Sequence, residues 1–142
     1  MAGSSTFEVP VCLSSIVMTE SSGPGIVDFT ATQPETTVSR PPPDRLLGGK
    51  PEHVARNFFS DTTGQFFAGI WESTPGRWRI RYTENEFCHI TQGKVRLTAL
   101  DGRIHQFSAG DSFVIPAGFE GTWEVVEDCV KLYAIFEAAA PR

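Results

Sequence analysis

Several things that would mark a membrane, secreted or nucleic-acid-binding chain are scarce in these 142 residues. No apolar run approaches the roughly 18 residues needed to cross a bilayer. Positive charge is short: 12 Lys and Arg face 17 Asp and Glu, giving a net charge of −5 and a pI near 5.1. Such a surface repels phosphate backbones and anionic lipid, so neither nucleic acid nor a membrane is expected as a partner. Cysteine is sparse, at Cys12, Cys88 and Cys129 with no CxxC pair, which excludes a zinc ribbon or a disulfide framework. An odd, scattered count fits reduced thiols in the cytoplasm. Met1 to Glu20 carries no Lys or Arg ahead of its apolar stretch 9–17, unlike a secretory signal, so a cytoplasmic location is expected. Histidine occurs three times, at 53, 89 and 105. A sustained helical period is missing too; only 46–56 could hold a helical turn.

What is present suits one globular domain: 40% apolar residues and 11% aromatic. Residues 1–45 are rich in Ser, Thr, Pro and Gly. Stretches 7–13 and 15–18 could each form a short strand, and Arg40-Pro-Pro-Pro-Asp44 cannot sit in a central strand because proline lacks the ladder donor. This part reads as an N-terminal arm with edge strands, with residues 46–142 as the main domain. There, strand-like runs follow at close intervals: 54–59, 65–72, 77–82, 86–92, 94–100, 103–107, 112–115, 122–126 and 130–137. Between them lie turn signals such as Pro75-Gly76, Asp101-Gly102 and Pro116-Ala-Gly118. Asp101-Gly102 predicts a type I′ hairpin turn. Many short, evenly spaced strands imply an all-β sandwich or barrel.

Two segments have a specific grammar. One is Glu86-Phe-Cys-His-Ile-Thr-Gln-Gly93, with an acid ahead of a glycine turn; the other is Gly110-Asp-Ser-Phe-Val-Ile-Pro116-Ala-Gly118. In this order and spacing they resemble the two motifs of the cupins. Together with Trp71-Glu72, Pro75-Gly76, Gly121-Thr-Trp-Glu124 and Lys131 they look like the cupin_3-type proteins, a group related to the ethanolamine-utilisation cupins and more distantly to ureidoglycine aminohydrolases. The resemblance spans roughly residues 42–137. It implies a single RmlC-like jelly-roll β-barrel, with dimerisation through sheet faces or exchanged N-terminal strands, so a homodimer is expected. Metal-binding cupins carry His-x-His, three residues, then Glu, with a third histidine after the second motif. Counted back from Glu86, the first two histidine positions hold Ile80 and Tyr82, and the third, three residues after Gly118, holds Gly121. One carboxylate cannot hold a transition ion that wants three or four protein ligands, so no metal and no cofactor is expected.

Strand alternation lists the inner wall. Tyr82 shares a face with Ile80 and Trp78; Glu86 with Cys88 and Ile90; Gly121 with Trp123 and Val125. On 65–72 the inner set is either Ala68, Ile70 and Glu72 or Phe67, Gly69 and Trp71. On the last strand it is either Lys131, Tyr133 and Ile135 or Val130, Leu132 and Ala134. His89 falls on the outer face, His105 opposite Thr98, and His53 in a loop. The expectation is an aromatic cup for a small polar metabolite. Glu86 and Tyr82 are its candidate catalytic pair, and Trp71, Glu72, Cys88, Trp123 and Lys131 its substrate-binding residues. The leading functional reading is a metal-independent enzyme of isomerase, lyase or hydrolase type, in which Glu86 moves a proton. Two alternatives stand beside it: a non-catalytic metabolite-binding or structural dimer, and a metal-dependent enzyme using Glu86 with atypical ligands.

Overall fold

The computed structural model describes residues 23–139, and every regular element among them is a β-strand. In chain order these are β1 (Glu35–Ser39), β2 (Leu46–Gly49), β3 (His53–Ser60), β4 (Phe66–Ser73), β5 (Gly76–Arg81), β6 (Asn85–Ala99), β7 (Ile104–Ser108), β8 (Ser112–Ile115) and β9 (Glu120–Phe136). The all-β reading holds. No helix among the described residues is long and apolar enough to cross a membrane. The strand candidates at 7–13 and 15–18 lie outside the described residues.

Two long strands organise the sheet. β9 pairs along one edge with β6 over nearly its whole length; along the other, its first half pairs with β5 and its second with β4. The register of β6 against β9 slips three times between Ile90 and Val95. Gly93 sits in this bend at φ +93°, and a Cβ there would collide with the carbonyl oxygen of Asp128. Only glycine fits so close an approach in that conformation. The sheet folds over along this line. One layer runs β1-β3-β4, the second half of β9, the first half of β6, then β8. The other runs β2-β5, the first half of β9, the second half of β6, then β7. The expected strand pairs 86–92/94–100 and 122–126/130–137 are therefore two continuous bent strands.

The strict alternation in β5 builds one wall of the core: Arg77, Arg79 and Arg81 are exposed while Trp78 and Ile80 are buried. Between the layers Trp71 meets Trp78 at 6.3 Å and Trp123 edge-on at 5.9 Å, ring-centroid distances typical of packed aromatic pairs.

Several local expectations change. The helical turn foreseen in 46–56 is absent; a turn closes earlier, where Arg45 and Leu46 donate to the Pro42 carbonyl, and Leu46–Gly49 pairs with β5 instead. Apolar Leu46 next to two glycines reads weakly in either period, and the sheet edge decides it. The Asp101-Gly102 turn is not type I′, since no residue other than glycine has positive φ among the described residues. Asp101 instead accepts from the Arg103 backbone N–H at 3.0 Å, and Gly102 alone takes φ +90° in a wider loop. That wider loop shifts the pairing by one, so His105 lies opposite Leu97. Finally, His53 opens β3 rather than lying in a loop.

Gly93→Ala should lower unfolding stability by about 1–3 kcal/mol through backbone collision and strain at the bend. Urea denaturation followed by tryptophan fluorescence checks this.

Candidate functional site

The open question of facing is settled by burial. Phe67, Gly69 and Trp71 of β4 point inward, as do Lys131, Tyr133 and Ile135 of β9. Of the predicted site residues, Tyr82, Glu86, Cys88, Trp71, Trp123 and Lys131 converge between the layers, each with 1% exposure or less. Glu72 does not join them. It is one residue out of phase with Trp71, so it lies on the outer face, where it pairs with Arg56.

At the centre is an ion pair. Lys131 Nζ lies 2.9 Å from Glu86 Oε2, with both side chains fully buried. The approach is a charge contact rather than an aligned hydrogen bond. The Tyr82 hydroxyl donates to Glu86 Oε1 at 2.6 Å. The ammonium also lies 4.6 Å from the Trp71 ring centre and 4.5 Å from that of Trp123, so two indole faces help to hold a cation away from water. Burial opposes the Lys131 charge, but the Glu86 carboxylate beside it helps to hold its pKa above the ordinary value. Lys131 also approaches Cys88 Sγ at 3.7 Å. Burial, and then the Glu86 charge, push the Cys88 thiol well up, so it stays protonated and is a poor nucleophile.

His53 was not foreseen here. It packs against Trp71 and Trp78 at 4.7–5.1 Å between ring centres, with neither ring nitrogen hydrogen-bonded. Burial, aided by the charge on Lys131, pushes its pKa down to about 4. A histidine two residues beyond a proline reads as loop from sequence; only the β3–β4 pairing turns it inward. Glu84, at the rim, is pushed up to about 7 by burial, with Glu86 and Glu137 adding to the effect.

These residues do not fit a transition metal. Ile80 offers no ligand atom, and the Tyr82 phenol is engaged with Glu86. At Gly121 a Cβ would collide with the Thr98 carbonyl oxygen, so no histidine can project from that position without prying β6 and β9 apart. The Lys131 ammonium already supplies positive charge at the carboxylate.

The open space lies beside this cluster. A cavity of about 260 Å³ is lined by Leu97, Arg103, His105, Phe107, Phe113 and Phe119, among others. Phe107 and Phe113 stack at 3.9 Å across the two layers, and Phe113 lies 6.2 Å from Trp123. Ile115, also in its wall, pairs directly with Glu86, so the cup adjoins the ion pair without exposing it. Sequence reasoning missed these phenylalanines. The same alternation that placed Cys88 inward places Phe113 and Ile115 inward through their pairing with β6.

The family model for the EutQ-like cupin domain matches residues 60–133, just over half of the chain. The chain belongs to the EutQ-like cupin domain family. Solved structures agree on the cupin fold. A Pseudomonas syringae protein of unknown function from the DUF861 family is 25% identical with TM-score 0.67, covering 77% of this chain and 46% of that one. The Clostridium difficile EutQ protein is 18% identical with TM-score 0.56, over 62% of this chain and 64% of that one. A putative ethanolamine utilization protein Q from Salmonella typhimurium is 15% identical with TM-score 0.57, over 77% of this chain and 99% of that one. The chain thus spans less than two thirds of the first two. No curated protein matches it.

Lys131→Met should destabilise this cupin by about 3–5 kcal/mol, because it strands a buried carboxylate. The double variant Glu86→Gln/Lys131→Met should recover more than half of that loss in the same denaturation assay.

The two shifted groups predict opposite pH slopes. His53 is held neutral when folded, so its contribution is complete above pH 6.5 and is lost as pH falls towards 4. Glu84 is also held neutral, so its contribution is complete below pH 4.5 and is lost as pH rises towards 7. Glu84→Gln should therefore unmask a loss of roughly 3 kcal/mol on acidification, and His53→Phe a similar loss on alkalinisation. Denaturation midpoints across pH 4–7.5 check both.

Proposed function

We propose that this cupin is a non-catalytic small-molecule-binding protein of the cytoplasm, with its ligand in the aromatic cup rather than at Glu86. The observation that carries this reading is the separation of space from chemistry. The cup is open and apolar-walled, while the acid that could move a proton is fully buried and bound on both oxygens. At about 260 Å³ the cup lies near the lower end of ligand sites, so the ligand is a small ring compound that slots beside Phe107 and Phe113. Arg103 and His105, in the lining, would take a polar or anionic end. The Glu86–Lys131 pair is then part of the core, replacing a metal's charge with an ammonium.

A second reading, a metal-independent enzyme, draws support from the convergence of a phenol and an ammonium on one carboxylate. It requires Trp71 and Trp123 to part and admit substrate.

Benzoate and phenylacetate serve as probes in calorimetric titration. Ala99→Phe, which fills the cup from its wall, should weaken binding at least tenfold, while Glu86→Gln should leave it unchanged. Loss of binding in Glu86→Gln with full binding in Ala99→Phe would overturn the proposal in favour of the enzyme.

A further inference from the structure

The outer face of the second layer gathers cations in a chain of net charge −5. β5 turns Arg77, Arg79 and Arg81 to this side, all three exposed. Cross-strand register sets Arg77 beside Glu124 of β9, Arg79 beside Thr122 and Arg81 beside Glu120. Lys94 and Arg96 of β6 share the face. Its carboxylates are already engaged: Glu120 with Arg81 at 3.4 Å, Glu124 with Arg96 at 3.1 Å and Glu127 with Lys94 at 3.9 Å. Arg96 also donates to Gln106 at 3.2 Å, so its guanidinium is held between β9 and β7. Arg77 and Arg79 are left over, and neither has a side-chain partner among the described residues.

The surplus charge has a regular spacing. Same-side residues repeat every ~6.8 Å along a strand, and Arg77 and Arg79 are one such step apart. Adjacent like charges repel, and an anion laid across both removes that cost. A guanidinium fork takes a carboxylate in two parallel hydrogen bonds. An extended peptide has the same repeat as β5, so a segment with acids at alternate positions presents one carboxylate to each arginine in register. Thr122 and, beyond it, Thr98 keep the strip beside Arg79 low enough for a backbone to lie along the ladder. At its foot, Arg79 and Arg81 line a hollow of about 260 Å³ together with Asp44. The Asp44 carboxylate opposes an anion there and limits the footprint on that side.

We propose that the arginine ladder of β5 is a docking surface for an extended acidic segment of a partner protein, of pattern acid-x-acid, with its two carboxylates on Arg77 and Arg79. Charge complementarity selects this occupant. The remainder of the molecule is acidic and holds off a long polyanion, whereas a short acidic strand touches only the ladder. Arg81 and Arg96, already engaged with Glu120 and Glu124, flank the segment without supplying a free fork.

Amide NMR titration of the full chain at low salt tests it, with the capped pentapeptides Thr-Glu-Thr-Glu-Thr and Thr-Glu-Glu-Thr-Thr as probes. The two have the same charge, but only the first sets both acids on one side. It should shift the amides of β5 and the first half of β9, and bind at least threefold tighter than the second. Arg77→Ser and Arg79→Ser, both at exposed positions, should each weaken that binding about threefold. Arg56→Ser, which removes the same charge from the first layer, should leave it unchanged. Asp44→Asn should strengthen it by up to about twofold. Equal binding of the two peptides means that bulk charge alone attracts them and overturns the proposal. Shifts confined to other strands, or full affinity in both β5 serine variants, overturn it too. Displacement of the first peptide by an equal concentration of a short oligothymidylate would assign the face to nucleic acid instead.

Discussion

An ammonium and a carboxylate, both sealed from water, set the terms for the interior of this protein. Taking two charges out of water is costly, and their attraction compensates only when the geometry is good and the remaining polar atoms are served. Here Tyr82 serves the second carboxylate oxygen, and two indole faces flank the ammonium. The surrounding choices follow from that. Trp71 and Trp123 must stand on opposite layers to flank Lys131, Cys88 must stay an uncharged thiol beside it, and His53 stays neutral because burial, and then repulsion by Lys131, disfavours its charge.

This arrangement explains how a cupin domain that lacks the three imidazoles keeps its shape. The glutamate that a metal would share with imidazoles has a resident cation from its own chain. Around it the positions that carry imidazoles in metal-binding cupins serve other uses: Ile80 packs, Tyr82 donates, and Gly121 lets two strands approach. Chemistry in such an interior would need the core to open, whereas the adjoining cup is accessible as it stands.

Much of the architecture was legible from sequence because turn residues and period-two alternation act locally. The Gly110–Gly118 segment, the inward set Trp78, Ile80 and Tyr82, and the inward position of Glu86 all follow from alternation and spacing. The rest depended on which strand pairs with which. Glu72 and Trp71 could not be told apart until β9 fixed the inner face of β4. The site of His53 between two tryptophans required the β3–β4 pairing. The phenylalanine cup joins residues from β7, β8 and the loop before β9, three elements whose proximity no local pattern encodes.

The hydrogen bonding of β9 carries a further implication, for the order of assembly during synthesis. Its two edges stitch together β4, β5 and β6, so the earlier strands lack their common neighbour until residue 136 has left the ribosome. Until then the tryptophans and the unpaired Glu86 have no finished interior to enter. The nascent chain must wait with its core tryptophans unprotected, which makes the emergence of β9 the point where a chaperone would matter most.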